Sequence, residues 1–143
     1  MARAISENQF LVTISGFGKP IYFAETDGGE EKANSSSYND GLARKNRKIR
    51  GNVEISDLTL TRAYDPEIDP EFIRFCRDYC SQADGDLVIT IQPIEACTEA
   101  NPLGPAFVYT GVQFLGVTTP SVKRAGDGAA MIKYSFAADD LTI

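Results

Sequence analysis

"RKIRGNVEISDLTLTR", residues 47–62, opens on Arg47, Lys48 and Arg50 and closes as an alternating apolar run. Val53 and Ile55 share one face at period two, and so do Leu58 and Leu60, but the second pair is out of step with the first. Alternation with valine, isoleucine and threonine is the pattern of a half-buried strand. The shift predicts one extra residue, a bulge near Ser56 and Asp57, because a single insertion sends every following side chain to the other face. The stretch therefore places the chain among β proteins.

Upstream, "ETDGGEEKANSSSYNDGLARKNRK", residues 25–48, has few apolar residues and no sustained period. It reads as a long polar loop spanning about 25–50. Its acids come first, Glu25, Asp27, Glu30, Glu31 and Asp40, with only Lys32 among them; Arg44, Lys45, Arg47, Lys48 and Arg50 follow. A compact domain seldom carries so long a loop unless it binds something. Segregated charge suits an arm that docks on a neighbour and orders on binding, with complementary charge setting the register. Glu30, Glu31, Arg44, Lys45, Arg47, Lys48 and Arg50 are the expected contact residues.

The basic run stands out on an acidic chain, formally −6 from 14 basic and 20 acidic residues. A nucleic-acid reader would show a broad basic face, so general DNA binding is disfavoured. The length of 143 residues fits one domain, 1–143, with its own core. No apolar stretch reaches the roughly 20 residues of a membrane span, and no signal-peptide pattern opens the chain, so no membrane insertion is expected.

Further out, "QFLVTI" places Phe10, Val12 and Ile14 on one face and "PIYFAE" places Ile21 and Phe23, with the turn residues "SGFGKP" between them, a β-hairpin. On the other side, "IDPEFIRFCRDYCSQADG" predicts a helix over about 69–83, with Asp69 as N-cap, Pro70 in the first turn and Gly85 past the end. Phe72, Phe75, Cys76, Tyr79 and Cys80 form its apolar stripe. Leu87, Ile89 and Ile91 alternate, "IEACTEANPLGPAF" reads as an irregular connection, and "AFVYTGVQFLGV" and "AAMIKYSFAA" supply further strands. In the last of these, Ala130, Ile132, Tyr134 and Phe136 share a face, after a turn at "KRAGDGA". The expected fold is α+β, mainly β: about six or seven strands in two packed antiparallel sheets, sandwich- or barrel-like, with one flanking mid-chain helix and the long inter-subunit loop.

Chemistry has little to stand on. The chain has no histidine, which removes the commonest general base and transition-metal ligand. Cys76 and Cys80 lie one helical turn apart and Cys97 could be a third thiolate, but three sulfurs without a fourth ligand make a poor zinc site, and core packing is the better reading. An odd cysteine leaves a cross-link between chains open. Asp65, Glu67, Asp69 and Glu71 lack calcium-loop spacing and suit helix capping. No catalytic, metal or cofactor-binding residue is expected, and the chain reads as a non-enzyme.

Taken in order, the N-terminal hairpin, the polar loop ending in bases and glycine, the strand "GNVEISDLTLTRAY", the acidic helix start and the closing strands resemble the phage tail tube proteins. "RKIRGNVEISDLTLTR" carries most of the likeness. The resemblance implies a structural subunit of stacked homohexameric rings, a conduit for DNA delivery into the host, with the chain itself as main partner and sheath, tape-measure, baseplate and terminator proteins as others. It implies a place in the virion tail, after assembly in the bacterial host cytoplasm, and an acidic lumen through which DNA slides without specific binding. Repulsion between carboxylates and phosphate leads to the same expectation. Glu54, Asp57 and Asp86 are the candidate lumen acids. Two alternatives stand beside this reading. One is the tube subunit of a related contractile injection, secretion or bacteriocin machine. The other is a monomeric ligand-binding β-barrel.

Overall fold

The computed structural model describes residues 9–18, 21–39, 41, 45–78, 87–95 and 98–143. The N-terminal hairpin forms as expected: β1 (Phe10–Ser15) pairs antiparallel with β2 (Ile21–Phe23), with Val12 opposite Phe23 and Ile14 opposite Ile21. All four side chains are buried, and on the other side of β1 Ile91 and Ile89 stand opposite Val12 and Ile14. A row of β-branched and aromatic side chains across three strands removes a continuous apolar face from water, about 25 cal/mol per Å².

After β2 come β3 (Glu25–Gly28), β4 (Glu31–Tyr38), β5 (Arg47–Ile55) and β6 (Leu58–Ala63), then helix α1 (Asp69–Asp78). The C-terminal half supplies β7 (Val88–Glu95), β8 (Thr98–Pro102), β9 (Phe107–Thr110), β10 (Gln113–Thr118), β11 (Met131–Ala137) and β12 (Asp140–Thr142). One six-stranded sheet runs β12-β9-β7-β1-β2, with β8 beside β7; a four-stranded sheet runs β10-β11-β6-β3. The mainly β, α+β expectation is met.

Two chain corners join the sheets. β2 belongs to the first and β3 to the second, with only Ala24 between them, whose N–H donates to the Thr61 carbonyl at 2.8 Å. β11 and β12 are related in the same way, with the Asp139 N–H donating to the Thr110 carbonyl at 2.9 Å. The core lies between the sheets, where Leu58 and Leu60 of β6 stand opposite Phe136 and Tyr134 of β11. Ile132, Tyr134 and Phe136 are buried as their alternation predicts, whereas Ala130 is exposed and precedes the strand.

Three expectations are corrected. The polar segment is a two-stranded antiparallel arm: β4 and β5 pair from the Glu31–Ile55 rung to the Tyr38–Arg47 rung, with an irregularity between Ala33 and Ser35. No apolar period announces it because nearly every β4 and β5 residue is exposed on both faces. "GNVEISDLTLTRAY" is two strands in different sheets, with Ser56 and Asp57 as the joint; the shift in alternation marks the place where the chain passes from the arm into the body. "IEACTEANPLGPAF" holds the end of β7 and all of β8, with Ile94 opposite Pro102.

Helix α1 seats Phe72 and Cys76 in the core. The Phe72 ring lies edge-on to Tyr134 at 5.2 Å and to Phe17 at 5.3 Å. Fully burying such a ring contributes about 1.5–3 kcal/mol, which anchors the helix against the four-stranded sheet. The expected helical residues 79–83, with Tyr79 and Cys80, lie outside the described residues, as does Cys97.

Candidate self-assembly surface

The arm is the first element of the surface. Cross-strand partners share a face, so Tyr38, Arg47 and Ile49 lie on one side and Lys48 and Arg50 on the other, opposite Ser37 and Ser35. Tyr38 is 44% exposed and Ile49 51%. Lys45, Arg47, Lys48 and Arg50 occupy the distal half, where β4 offers only serines and a tyrosine across the ladder; among the described residues none of these cations has a carboxylate partner. At the tip Asn39 Nδ2 donates to Asn46 Oδ1 at 3.2 Å, and the Gly41 N–H donates to Asn39 Oδ1 at 2.8 Å. Arg44 lies outside the described residues.

The acids sit at the other end. Glu25 and Asp27 are in β3, and Glu30 and Glu31 at the root, where the Gly29 N–H donates to the Asp57 carbonyl, the Ser56 N–H to the Glu30 carbonyl, and the Glu30 N–H to Ser56 Oγ at 2.8 Å. Glycines at 28 and 29 are required: both have positive φ, 81° and 77°, and a Cβ on Gly29 would lie 2.7 Å from Tyr109 Oη. Tyr109 Oη donates to the Gly29 carbonyl at 2.9 Å, tying the root to β9. Burial, with a smaller contribution from the Glu31 carboxylate, raises the Tyr109 pKa above its usual value. The root acids and the distal bases therefore do not face each other within one copy, because they occupy opposite ends of the ribbon.

The second element is a cleft of about 720 Å³ beside the root, lined by Ala24, Glu25 and Thr26 where β2 passes into β3 and by the apolar side chains of Phe10, Val12, Ile91, Phe107, Tyr109 and Leu141. These side chains come from the inward face of the six-stranded sheet. Sequence alternation marks them as apolar but cannot tell a covered wall from an open one.

The third element is a pair of sheet edges. In the four-stranded sheet every neighbouring pair is antiparallel, so its two edge strands, β10 and β3, run in opposite directions. Charge on β3 and the register shift at Phe114/Gly116 in β10 discourage indiscriminate pairing. On the face away from the core, Glu25 stands beside Thr61 and Lys133, and Asp27 beside Thr59 and Ser135. Of the candidate lumen acids, Glu54 lies on the arm opposite Lys32, Asp57 lies in the joint, and Asp86 is outside the described residues.

Asp69 has a different place from the one expected. It is fully buried and its carboxylate points away from its own helix: Oδ2 accepts the Asp65 N–H at 2.6 Å, Oδ1 accepts Tyr134 Oη at 2.6 Å, and Arg62 Nε lies 3.6 Å from Oδ1. Asp65 closes an Asx turn just before the helix, its Oδ1 accepting the Glu67 N–H at 2.9 Å. Cys76 is buried in the core and its thiol pKa is pushed up to about 12 by burial, which keeps it unreactive. Among the described residues, no helix is long and apolar enough to cross a membrane.

The class these features define is a two-sheet β domain with a helix packed against the four-stranded sheet and a projecting charged ribbon. That fold is shared with chains of tube-bearing contractile machines. A chain of the sheath–tube complex of an extracellular contractile injection system, PVC, in the extended state superposes with a TM-score of 0.79 at 18% identity, over 97% of this chain and 90% of that one. A chain of the sheath/tube terminator of the same kind of system gives 0.80 at 18% identity, over 99% and 96%. One from the tube-terminating cap of the anti-feeding prophage gives 0.81 at 16% identity, over 99% and 91%. No protein-family model matches the sequence, and no curated protein is significantly similar to it.

Proposed function

We propose that this chain is the structural subunit of a tail tube, closing into homohexameric rings that stack into a conduit. The observation that carries the reading is the four-stranded sheet. Four antiparallel strands leave edges of opposite direction, so β3 of one copy set beside β10 of the next continues the alternation without a parallel joint; an odd number of strands could not. Repeated around a ring, this heterologous contact leaves no edge of the four-stranded sheet free, and stacking of rings is open-ended. The six-stranded sheet, the helix and the arm need the larger radius, which turns the other face of the four-stranded sheet toward the bore. Glu25 and Asp27 are then the acids nearest the lumen, in place of Glu54 and Asp57.

The fold likeness over nearly the whole chain supports the tube role, and its source favours the second form of the reading, a tube within a contractile injection machine, over a DNA conduit in a phage tail. Sheath, baseplate and terminator proteins are the expected partners. Cryo-electron microscopy of the purified protein tests this: six-fold rings or hollow filaments are expected. A monodisperse monomer would overturn the tube and leave the cleft as the pocket of a ligand-binding barrel.

A further inference from the structure

The arm and the cleft pose one physical problem each. An isolated two-stranded ribbon is marginal in water, yet this one carries Tyr38 and Ile49 exposed on one face near its tip. The cleft exposes an apolar wall, with Phe107 37% exposed and Glu25 in its lining, and Tyr109 ties it to the root that carries Glu30 and Glu31. The two surfaces are complementary in kind, apolar with cations against apolar with anions. They cannot meet within one copy. The ladder from the Glu31–Ile55 rung to the Tyr38–Arg47 rung holds the tip roughly 20 Å from the root at about 3.3 Å per residue.

We infer that the cleft is the acceptor for the distal half of the arm of a second copy, with Tyr38 and Ile49 seated against Phe107 and Leu141 and Arg47, which shares their face, against the acids beside the cleft. The inference rests on the tube reading and supplies its stacking contact. Donor and acceptor are different patches of one chain, so each copy receives one arm and offers another, and the contact propagates without closing. Apolar anchors near the centre with charge at the rim is the arrangement in which a few residues carry most of the affinity and the rim sets orientation. The acids beside the cleft also discriminate, because a face that carries Arg47 with Tyr38 and Ile49 is accepted where an acidic partner would be repelled.

The test places p-benzoylphenylalanine at position 49 and illuminates assembled filaments made from equal parts of isotope-labelled and unlabelled chain. Cross-links between copies to peptides containing Phe107 or Leu141 are expected. Cross-links to the β10 edge, to residues 119–130, or only within one copy overturn the acceptor site. In parallel, Phe107→Arg sets a cation at the cleft mouth while thermal unfolding reports whether the domain stays folded. Rings should still form, with filament growth requiring about ten-fold more protein or beyond. Rings and filaments that match the wild type in this variant overturn the inference alone. Absence of both rings and filaments in the wild type overturns the tube reading and the inference together.

Discussion

Tyr134 Oη donates a hydrogen bond of 2.6 Å to Asp69 Oδ1, joining β11 to the start of the helix across 65 positions of sequence. Both side chains are fully buried. The carboxylate also takes the Asp65 N–H and has Arg62 beside it, so a charge that would be costly in an apolar interior is held by a hydroxyl, an amide and a cation. Arg62 in turn has Nε and Nη1 buried without hydrogen-bond partners, which makes Asp69 its one compensation among the described residues.

Removing the two ends of this contact should therefore cost different amounts. Tyr134→Phe keeps the ring that packs on Phe72 and deletes one bond to an ion, about 1–3 kcal/mol. Asp69→Ala leaves Arg62 buried and uncompensated, about 3–5 kcal/mol. Combining Asp69→Ala with Arg62→Met should recover part of that loss. Urea unfolding of the four proteins measures the order; equal costs for the two single variants would show that the arginine does not depend on Asp69.

Alkali should destabilise the fold more than neutral pH does. Burial raises Cys76 to about 12 from a usual value of 9.0, and Tyr134 is raised by burial first and by its bond to Asp69 second. Both are acids that stay protonated in the folded chain after the unfolded chain has begun to lose their protons. The unfolded state then binds fewer protons, so stability is complete below about pH 9 and falls as pH climbs toward the folded values. Urea midpoints at pH 7, 9 and 10.5 should show a plateau and then a decline, with a shallower decline in Cys76→Ala. An equal slope in that variant would mean that Cys76 already ionises in the folded protein.

Sequence periodicity read the body well and the arm badly, for the same reason. Val12, Ile14, Leu58, Leu60, Tyr134 and Phe136 alternate because one side of each strand faces a core, and burial is what writes the period. β4 and β5 face water on both sides, so Ser35, Ser36 and Ser37 follow one another and leave no mark of the ladder they form. The charge segregation of the arm was legible; its geometry was not, since acids at the root and bases at the tip look like facing strands when only order is known. Asp69 misled in another way. Its position before Pro70 has the form of a cap, and only the approach of Tyr134 from far along the chain gives it a different role.

The root of the arm should be intolerant of a methyl group where its tip is not. Gly28 and Gly41 have nearly the same backbone, φ 81° and 84°, but a Cβ on Gly28 would run into the Asp57 carbonyl whereas one on Gly41 meets nothing within 4 Å. Gly41→Ala should cost about 1–2 kcal/mol of left-handed strain. Gly28→Ala adds a collision with backbone that cannot move without breaking the root, and should cost at least about 1 kcal/mol more. Thermal unfolding of the two variants decides it; equal losses would mean that the β3–β6 junction adjusts freely.

Charge on the distal arm should govern growth and leave folding alone. Lys45, Arg47, Lys48 and Arg50 are exposed, so reversing Arg47 and Lys48 to glutamate removes no buried contact. If their partners are carboxylates on another copy, the double reversal should raise the protein concentration needed for filament growth about ten-fold or more. The wild type should show the same weakness in graded form as salt rises, because screening shortens from roughly 10 Å at 0.1 M to 3 Å at 1 M. Sedimentation across a salt series, with circular dichroism as the folding control, measures both. Normal filaments from the reversed variant at physiological salt would remove the basic run from assembly.

Excising the arm separates its two possible duties. Of its described residues, only Ile55 packs against the core cluster, so β4 and β5 contribute almost nothing to the buried apolar surface. Joining Glu31 to Ile55 through an Asn-Gly turn in place of residues 32–54 keeps the root rung and gives it a two-residue connection of the kind that matches strand twist. The shortened chain also has less loop entropy to lose on folding, a gain below about 1–2 kcal/mol. Its melting temperature should therefore equal or slightly exceed that of the full chain, while ring stacking is abolished and the β3 and β10 edges still allow rings. Calorimetry and electron microscopy on the same preparation read both properties. A fall of more than about 10 °C, several kcal/mol for a domain of this size, would make the arm part of the fold, and filaments from the excised chain would mean that rings stack through another surface.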